Sequence, residues 1–296
     1  MRAFELVTAR DAGHAIALLA EHGPSVKVLA GGTDLLVELK SAPDAPRVIV
    51  DISRADDLRQ ITITKQGLCV GALATHAAIM RSVLVRDFAP MLIDAAHSIG
   101  AVQTRNLGTL GGNLATGVPS MDSGPALYAL EALITVVGVA GRRQMPIAEF
   151  FLGPRRTVLK PGELLAEIII PKVNFGKPGD FQKFGLRKGQ ALALVNVAAS
   201  FRVDWERHAF IAPRIALGAV APTVMRVPQA EAGIEGRAIT PEAMAEAGQI
   251  AAAEARPISD FRASAGYRRE LIAVLTRRAL ANAYECARTA RGENGK

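Results

Sequence analysis

The chain has 296 residues, half of them hydrophobic and 21% charged, with a formal net charge of +7; that length suffices for two domains, each with its own core. No stretch reaches the roughly 18 uninterrupted apolar residues of a membrane span, and Glu5, Asp11 and Glu21 interrupt what would have to be a signal-peptide core, so a cytoplasmic protein is expected. Cys69 and Cys286, with no Cys or His at ligand spacing, exclude a Cys-ligated iron–sulfur cluster held by this chain alone and argue against a disulfide framework.

In chain order, Ala3 to Val7 reads as a short strand and Asp11 to Glu21 as a helix stopped by Gly23-Pro24. Val26 to Ala30 is a second strand running into Gly31-Gly32, Leu35 to Lys40 is helical, and Arg47 to Asp51 is a third strand. Residues 1 to about 55 thus form a β-α-β-α-β unit. From Ile61 to Leu73 the period becomes two, which fits a pair of strands with a turn near Gln66-Gly67. Thr75 is placed to cap a helix opening at His76, and a further helix runs from about Pro90 to Ile99. Gly108 to Asn113 reads as a glycine-rich loop, Gly124 to Leu130 as a short helix and Ala132 to Val139 as a buried strand. Arg142 to Pro146 is polar and turns the chain, and Leu164 to Pro171 is another apolar strand.

The Gly- and Pro-bearing stretch 174–179 is the candidate linker. Phe181 to Leu186, Ala191 to Asp204 and Ala212 to Val220 have strand character, followed by helices from Pro241 to Ala255 behind Thr240 and from Gly266 to about Arg288. A strand meander followed by helices predicts an α+β second domain over 179–290, after a first domain over 1–173 with subdomains of about 1–55 and 56–173. Residues 1–148 carry 13 basic and 13 acidic side chains and residues 149–296 carry 22 and 15, so the whole positive excess lies in the second half. It comes as scattered pairs (Arg155-Arg156, Arg268-Arg269, Arg277-Arg278) mixed with acids, and the last helix is expected to display the final four of these beside an apolar face. A solvated or subunit-contacting surface fits this better than a nucleic-acid site.

The chemistry is expected in two glycine segments. Ala30-Gly31-Gly32-Thr33-Asp34-Leu35 runs on directly from the strand VKVLA, and Thr109-Leu110-Gly111-Gly112-Asn113 is the second segment; each is read as following apolar sequence and carries Thr with Asp or Asn. Paired glycines let the backbone take positive φ and present consecutive N–H groups as an anion-binding concavity, to which a following helix adds partial positive charge. Hydroxyls at Thr33 and Thr109 add donors, and two such segments suit a diphosphate. Neither matches the dinucleotide or nucleotide-triphosphate fingerprints, and spacing alone would leave both as ordinary turns.

The residues also carry a resemblance. LAGGTDLL, THAAI and RNLGTLGGNLAT are similar to the flavin-binding segments of the xanthine dehydrogenase and carbon monoxide dehydrogenase medium-subunit family, and the likeness continues in order through EFFLGPRRTVLKPGELLAEIIIP, KFGLRKGQALALVNVAAS, RIALGAVAPTVMR and PISDFRASAGYRRELIAVLTRRAL. It implies a vanillyl-alcohol-oxidase/PCMH-type FAD-binding domain in two subdomains plus a C-terminal α+β domain. It further implies that Ala30, Gly31, Gly32, Thr33, Asp34 and Leu35 wrap the FAD pyrophosphate and that Thr109, Gly111, Gly112 and Asn113 meet the same ligand. By the same carry-over, Asp122 bonds the flavin side chain and Lys183 stands near the isoalloxazine, where a cation favours the anionic reduced flavin. Partner subunits would hold molybdopterin (large subunit) and [2Fe–2S] clusters (small subunit), in a dimer of heterotrimers. The family's acidic pattern after the second glycine segment is here Gly117-Val118-Pro119-Ser120-Met121-Asp122, and Phe181 stands where a tyrosine over the flavin ring is expected.

Two other functions compete: a stand-alone FAD-dependent reductase of the same fold, and a basic nucleic-acid-binding protein. The full-length co-linear likeness favours the medium subunit. His76 is weighed as a neighbour of the flavin against a place in a helix-capping neighbourhood, and the second reading is preferred; Trp205 is read as an exposed contact residue in a polar turn.

Overall fold

The computed structural model describes residues 3–41 and 46–294; Met1 and Arg2, at the start of the expected first domain, lie outside them. β1 (Glu5–Thr8), α1 (Ala12–His22), β2 (Lys27–Leu29), α2 (Leu35–Ser41) and β3 (Val48–Asp51) alternate along the chain, and the strands form a parallel sheet in the order β1-β3-β2. Asp11 caps α1 by accepting from the His14 N–H, and Gly23 ends it at φ +74°.

A hairpin of β4 (Ile61–Ile63) and β5 (Gly67–Gly71) leads into six short helices: α3 (His76–Arg81), α4 (Val83–Phe88), α5 (Pro90–His97), α6 (Val102–Leu107), α7 (Leu110–Thr116) and α8 (Ser123–Ala129). Then come β6 (Leu133–Gly138), β7 (Gly141–Pro146), β8 (Phe151–Gly153), β9 (Arg156–Thr157) and β10 (Leu164–Pro171). The main sheet has the order β4-β5-β10-β6-β7, with β10 antiparallel to both neighbours. Its side chains feed two cores. Ile168 and Ile170 pack beneath the helices, while Leu164 and Ala166 pack against the β1-β3-β2 unit. Burial on both faces explains why LLAEIIIP is nearly continuous in apolar residues instead of alternating.

Two local expectations for this domain are corrected. Arg142 to Pro146 is not a turn but the edge strand β7, held by six backbone pairings to β6 and by ion pairs from Arg142 and Arg143 to Glu167 and Glu163; charged residues suit an edge. Gly108 to Asn113 is not a loop throughout. α7 begins at Leu110, with Thr109 as its cap.

The second domain is an antiparallel sheet of β11 (Gly179–Gly185), β12 (Ala193–Asp204), β13 (Ala209–Gly218) and β14 (Met225–Arg226), followed by α9 (Pro228–Ile234), α10 (Pro241–Glu254) and α11 (Ala265–Asn294). α9 and α11 cover one face of this sheet, with α10 packed on both, and α5 and α8 of the first domain approach the other. β12, enclosed between these layers, is buried from Ala193 to Phe201. Thr240 caps α10 as expected. Arg268 is a further correction. Instead of lying on an arginine-rich face it is 2% exposed, with one guanidinium nitrogen donating to the Leu194 carbonyl (2.6 Å) and another to Asp260 (3.0 Å). It ties the start of α11 to β12, and only Arg269, Arg277 and Arg278 of the four reach solvent. Trp205 is half-buried, with the Arg291 guanidinium 4.5 Å from its ring centre.

Candidate functional site

The first glycine segment lies where β2 ends and α2 begins. Gly32 has φ +74°, a conformation natural to glycine. Among the described residues, the backbone N–H groups of Gly31, Gly32, Thr33, Asp34 and Leu35 meet no acceptor. Such a run of free N–H groups, curled by a left-handed residue and opening a helix, forms a concavity for an anion. The Asp34 side chain is exposed at its edge.

The second segment is built differently. The Leu110 and Gly111 N–H groups donate to the carbonyls of Ala74 (3.0 Å) and Ala72 (2.8 Å), and the Gly112 N–H donates to the Thr109 hydroxyl oxygen (3.0 Å). The Thr109 hydroxyl oxygen is therefore an acceptor within the cap, and its O–H is still a donor. Gly111 is a glycine for packing, since a Cβ there would come 2.5 Å from the Ala72 Cβ. Gly112 and Asn113 remain partly exposed. The Asn113 carboxamide oxygen accepts from Ser123 Oγ (2.5 Å), which frees its NH2 to donate outward.

The two segments are in contact. A Cβ on Gly31 would fall inside the Leu107 carbonyl, and one on Gly108 would come within 3.4 Å of His76 Cδ2 and 3.5 Å of Thr33 Oγ1. The His76 N–H donates to the Gly108 carbonyl (3.1 Å). Ala30, half-buried, packs on the core below.

Asp122 and Lys183 come from opposite domains and meet at the seam. Lys183 Nζ donates to Asp122 Oδ2 (2.5 Å) and to the Ser98 carbonyl (2.9 Å). Asn196 Nδ2 donates to Asp122 Oδ1 (2.9 Å) and to the Met121 carbonyl (3.2 Å). Sheet register places the two donors together, because Lys183 on β11 is directly opposite Asn196 on β12. Burial pushes the Asp122 carboxyl up, against the opposing pull of Lys183 and Asn196. Lys183 is thus paired with the Asp122 carboxylate at the seam. Phe181, two residues earlier on the same strand face, is 7% exposed and packs in the core of the first domain.

Asn196 and Ser123 were not singled out as site residues from the sequence, whereas His76 was weighed there and set aside as part of a helix start. Asn196 left a signal, being the one amide side chain in the apolar run ALALVNVAAS; a polar group in a buried strand requires a partner. Ser123 directly follows Asp122 and left none.

Fold and site together define a two-domain scaffold, with a glycine turn of free N–H groups in one domain and an ion pair closing the seam with the other. Comparison with known proteins agrees. The FAD-binding domain of molybdopterin dehydrogenases matches residues 2–173, and the C-terminal domain of carbon monoxide dehydrogenase flavoproteins matches residues 181–283. The carbon monoxide dehydrogenase medium chain of Hydrogenophaga pseudoflava is 34% identical, over 96% of this chain and 98% of the relative. The xanthine dehydrogenase FAD-binding subunit of Escherichia coli is 31% identical, over 92% and 93%. The solved carbon monoxide dehydrogenase of Hydrogenophaga pseudoflava superposes with a TM-score of 0.92 at 33% identity, covering 96% of this chain and 98% of that one. This chain belongs to the FAD-binding medium-subunit family of the molybdenum hydroxylases, an oxidoreductase family. The residues present fit a dinucleotide: free N–H groups for a diphosphate, and a buried carboxylate and ammonium at the seam.

Proposed function

We propose that this chain is the electron-transfer subunit of a molybdenum hydroxylase complex, receiving electrons from [2Fe–2S] clusters of a small partner subunit and delivering them to NAD+, oxygen or a quinone. Substrate would be oxidised at molybdopterin in a large partner subunit. FAD, when bound, supplies the redox chemistry, and the protein supplies binding and electrostatics. The run of free N–H groups about Gly32 carries the cofactor assignment. In this reading residues 30–35 hold the diphosphate together with Gly112 and Asn113, Thr109 and Gly111 shape the second segment, and Asp122 and Lys183 serve the flavin end.

The partner assignment is supported by the relatives, which are named as medium chains and FAD-binding subunits of dehydrogenases, and by the exposed Arg269, Arg277 and Arg278, a surface suited to a more acidic neighbour. Native mass spectrometry of material purified from the source organism should show a dimer of heterotrimers, with FAD released by acid precipitation. A homogeneous free monomer that oxidises a substrate unaided would overturn the assembly, and colour retained in the acid pellet would overturn a non-covalent cofactor.

A further inference from the structure

Lys177 stands in the link between the two domains, just before β11, and takes no part in the site described above. It is 4% exposed, and among the described residues its Nζ has no hydrogen-bond acceptor and no carboxylate at ion-pair distance. Buried lysines are ordinarily paired. The carboxylate whose charge acts on this one, Glu131, is already spent. Its Oε1 accepts from Arg214 Nε (2.7 Å) and from Arg226 (3.3 Å), and its Oε2 accepts from Asn174 (3.3 Å). Glu231 is likewise occupied by Arg226 and by the Ile215 N–H. Burial first, and the Arg214 charge next, push the Lys177 ammonium down to about 8, with Glu131 pulling the other way and Arg202 and Arg226 adding to the repulsion.

The fold gathers these cations. The Phe201 N–H donates to the Pro178 carbonyl (3.1 Å), which lays the link along β12, and Arg202 donates to the Val173 carbonyl (2.7 Å). Arg214 on β13 is opposite Ser200 and Arg226 on β14 is opposite Ala216, so the two arginines share one face of the sheet. Four cations against two carboxylates leave a local excess of positive charge. A lysine stem filling a gap would account for the burial, but not for an ammonium held among arginines, which is costly without a counter-charge. The cluster is open to solvent on one side, where the side chains of Arg214, Arg226 and Glu131 are 25%, 31% and 34% exposed.

We propose that Lys177, Arg202 and Arg214 form a binding site for a small oxyanion of the phosphate class at the junction of the two domains. The donors are present and uncommitted: the Lys177 ammonium, Nη2 of Arg214 and Nη1 of Arg202, the remaining nitrogens of the two arginines serving Glu131 and backbone carbonyls. Converging ammonium and guanidinium N–H groups suit several oxygens on one centre better than they suit chloride. Bound there, the anion ties the link to β12 and β13 and supplies the counter-charge that Lys177 lacks. The site shares no residue with the FAD site, and its assignment does not depend on that reading.

The test uses the full-length chain saturated with FAD, so that the glycine turn is filled, and inorganic phosphate as the probe, against chloride at equal ionic strength. Thermal unfolding midpoints and calorimetric phosphate dissociation constants are measured for the parent, for Lys177→Met, which keeps the bulk and removes the donor, and for Arg202→Gln. Phosphate should raise the parent's midpoint saturably, beyond the effect of chloride and with FAD content unchanged. Lys177→Met should weaken phosphate about ten- to a hundredfold, and Arg202→Gln, at an exposed side chain, about two- to fivefold. A parent that responds to phosphate no more than to chloride, or a phosphate constant undiminished in Lys177→Met, overturns the proposal. Should Lys177→Met fail to fold, an undiminished constant in Arg202→Gln overturns it instead. A parent that takes up no FAD removes the cofactor reading alone, and the difference between parent and Lys177→Met still decides the anion site.

Discussion

Removing the carboxylate of Asp122 tests the seam and the cofactor site together. In Asp122→Ala the Lys183 ammonium, 11% exposed, keeps only the Ser98 carbonyl, and Asn196 keeps only that of Met121. Deleting one partner of a buried, hydrogen-bonded pair costs about 3–5 kcal/mol, a large share of the 5–15 kcal/mol that holds a typical domain together. With a urea dependence of about 3 kcal/mol/M, the apo midpoint should fall by about 1 M or more. Loss of a charge-assisted acceptor for the flavin side chain should raise the FAD dissociation constant by a further ten- to a hundredfold, about 1.5–3 kcal/mol. Lys183→Met separates the two effects. There the Asp122 carboxyl, already pushed up by burial, is free to take a proton, so the stability loss should be smaller than in Asp122→Ala. The double variant should lose less than the sum of the single ones. Urea titration of apo-protein and FAD titration of each variant are the assays. Additive losses, or an Asp122→Ala protein as stable as the parent, would refute the buried-pair reasoning, and an unchanged FAD constant would remove Asp122 from the ligand's neighbours.

Two further outcomes follow from local geometry. Gly31→Ala should lose FAD and lower the melting temperature more than Gly32→Ala, since a Cβ at Gly31 meets the Leu107 backbone, whereas at Gly32 it meets leucine side chains and the main penalty is φ +74°, about 1–2 kcal/mol; a fully loaded Gly31→Ala protein of normal melting temperature would show the contact to be soft. Glu163, gripped by Arg143 at 2.7 and 3.1 Å, has its carboxyl held below the ordinary 4.5 by that guanidinium. Its stabilisation is therefore present above the unfolded value and is lost as pH falls through the folded one. Glu163→Gln should be less stable than the parent by about 0.5–1 kcal/mol at pH 7, given the partly exposed arginine, and the gap should close toward pH 3; urea midpoints with the same gap at both pH values would contradict the assignment.

Much of the architecture was legible because its causes are local. A hydroxyl before Pro241, an aspartate before α1, Gly23 at its end and an unbroken apolar run at 164–171 each act within a few residues of chain, and each element appears at or within a residue or two of its expected position. The turn at Gly31-Gly32 belongs to the same class, because a glycine pair between a strand and a helix is a backbone statement. Other features were decided between distant segments. Gly111 and Gly112 are poor helix formers, yet α7 starts before them because Ala72, Ala74 and Thr109 take up its first N–H groups and Gly111 fits against Ala72. Arg142 to Pro146 is a strand because β6 lies beside it. Arg268 shares helical spacing with its exposed neighbours, but the Asp260 carboxylate and the Leu194 carbonyl draw it inward. The closure of the site is the least local of all. Asp122 meets Lys183 across 61 residues and Asn196 across 74, and only the register of β11 on β12, together with the docking of α8 against that sheet, brings a carboxylate, an ammonium and an amide to one point. Residue types and short-range patterns name the candidate groups; desolvation and long-range pairing decide which of them touch.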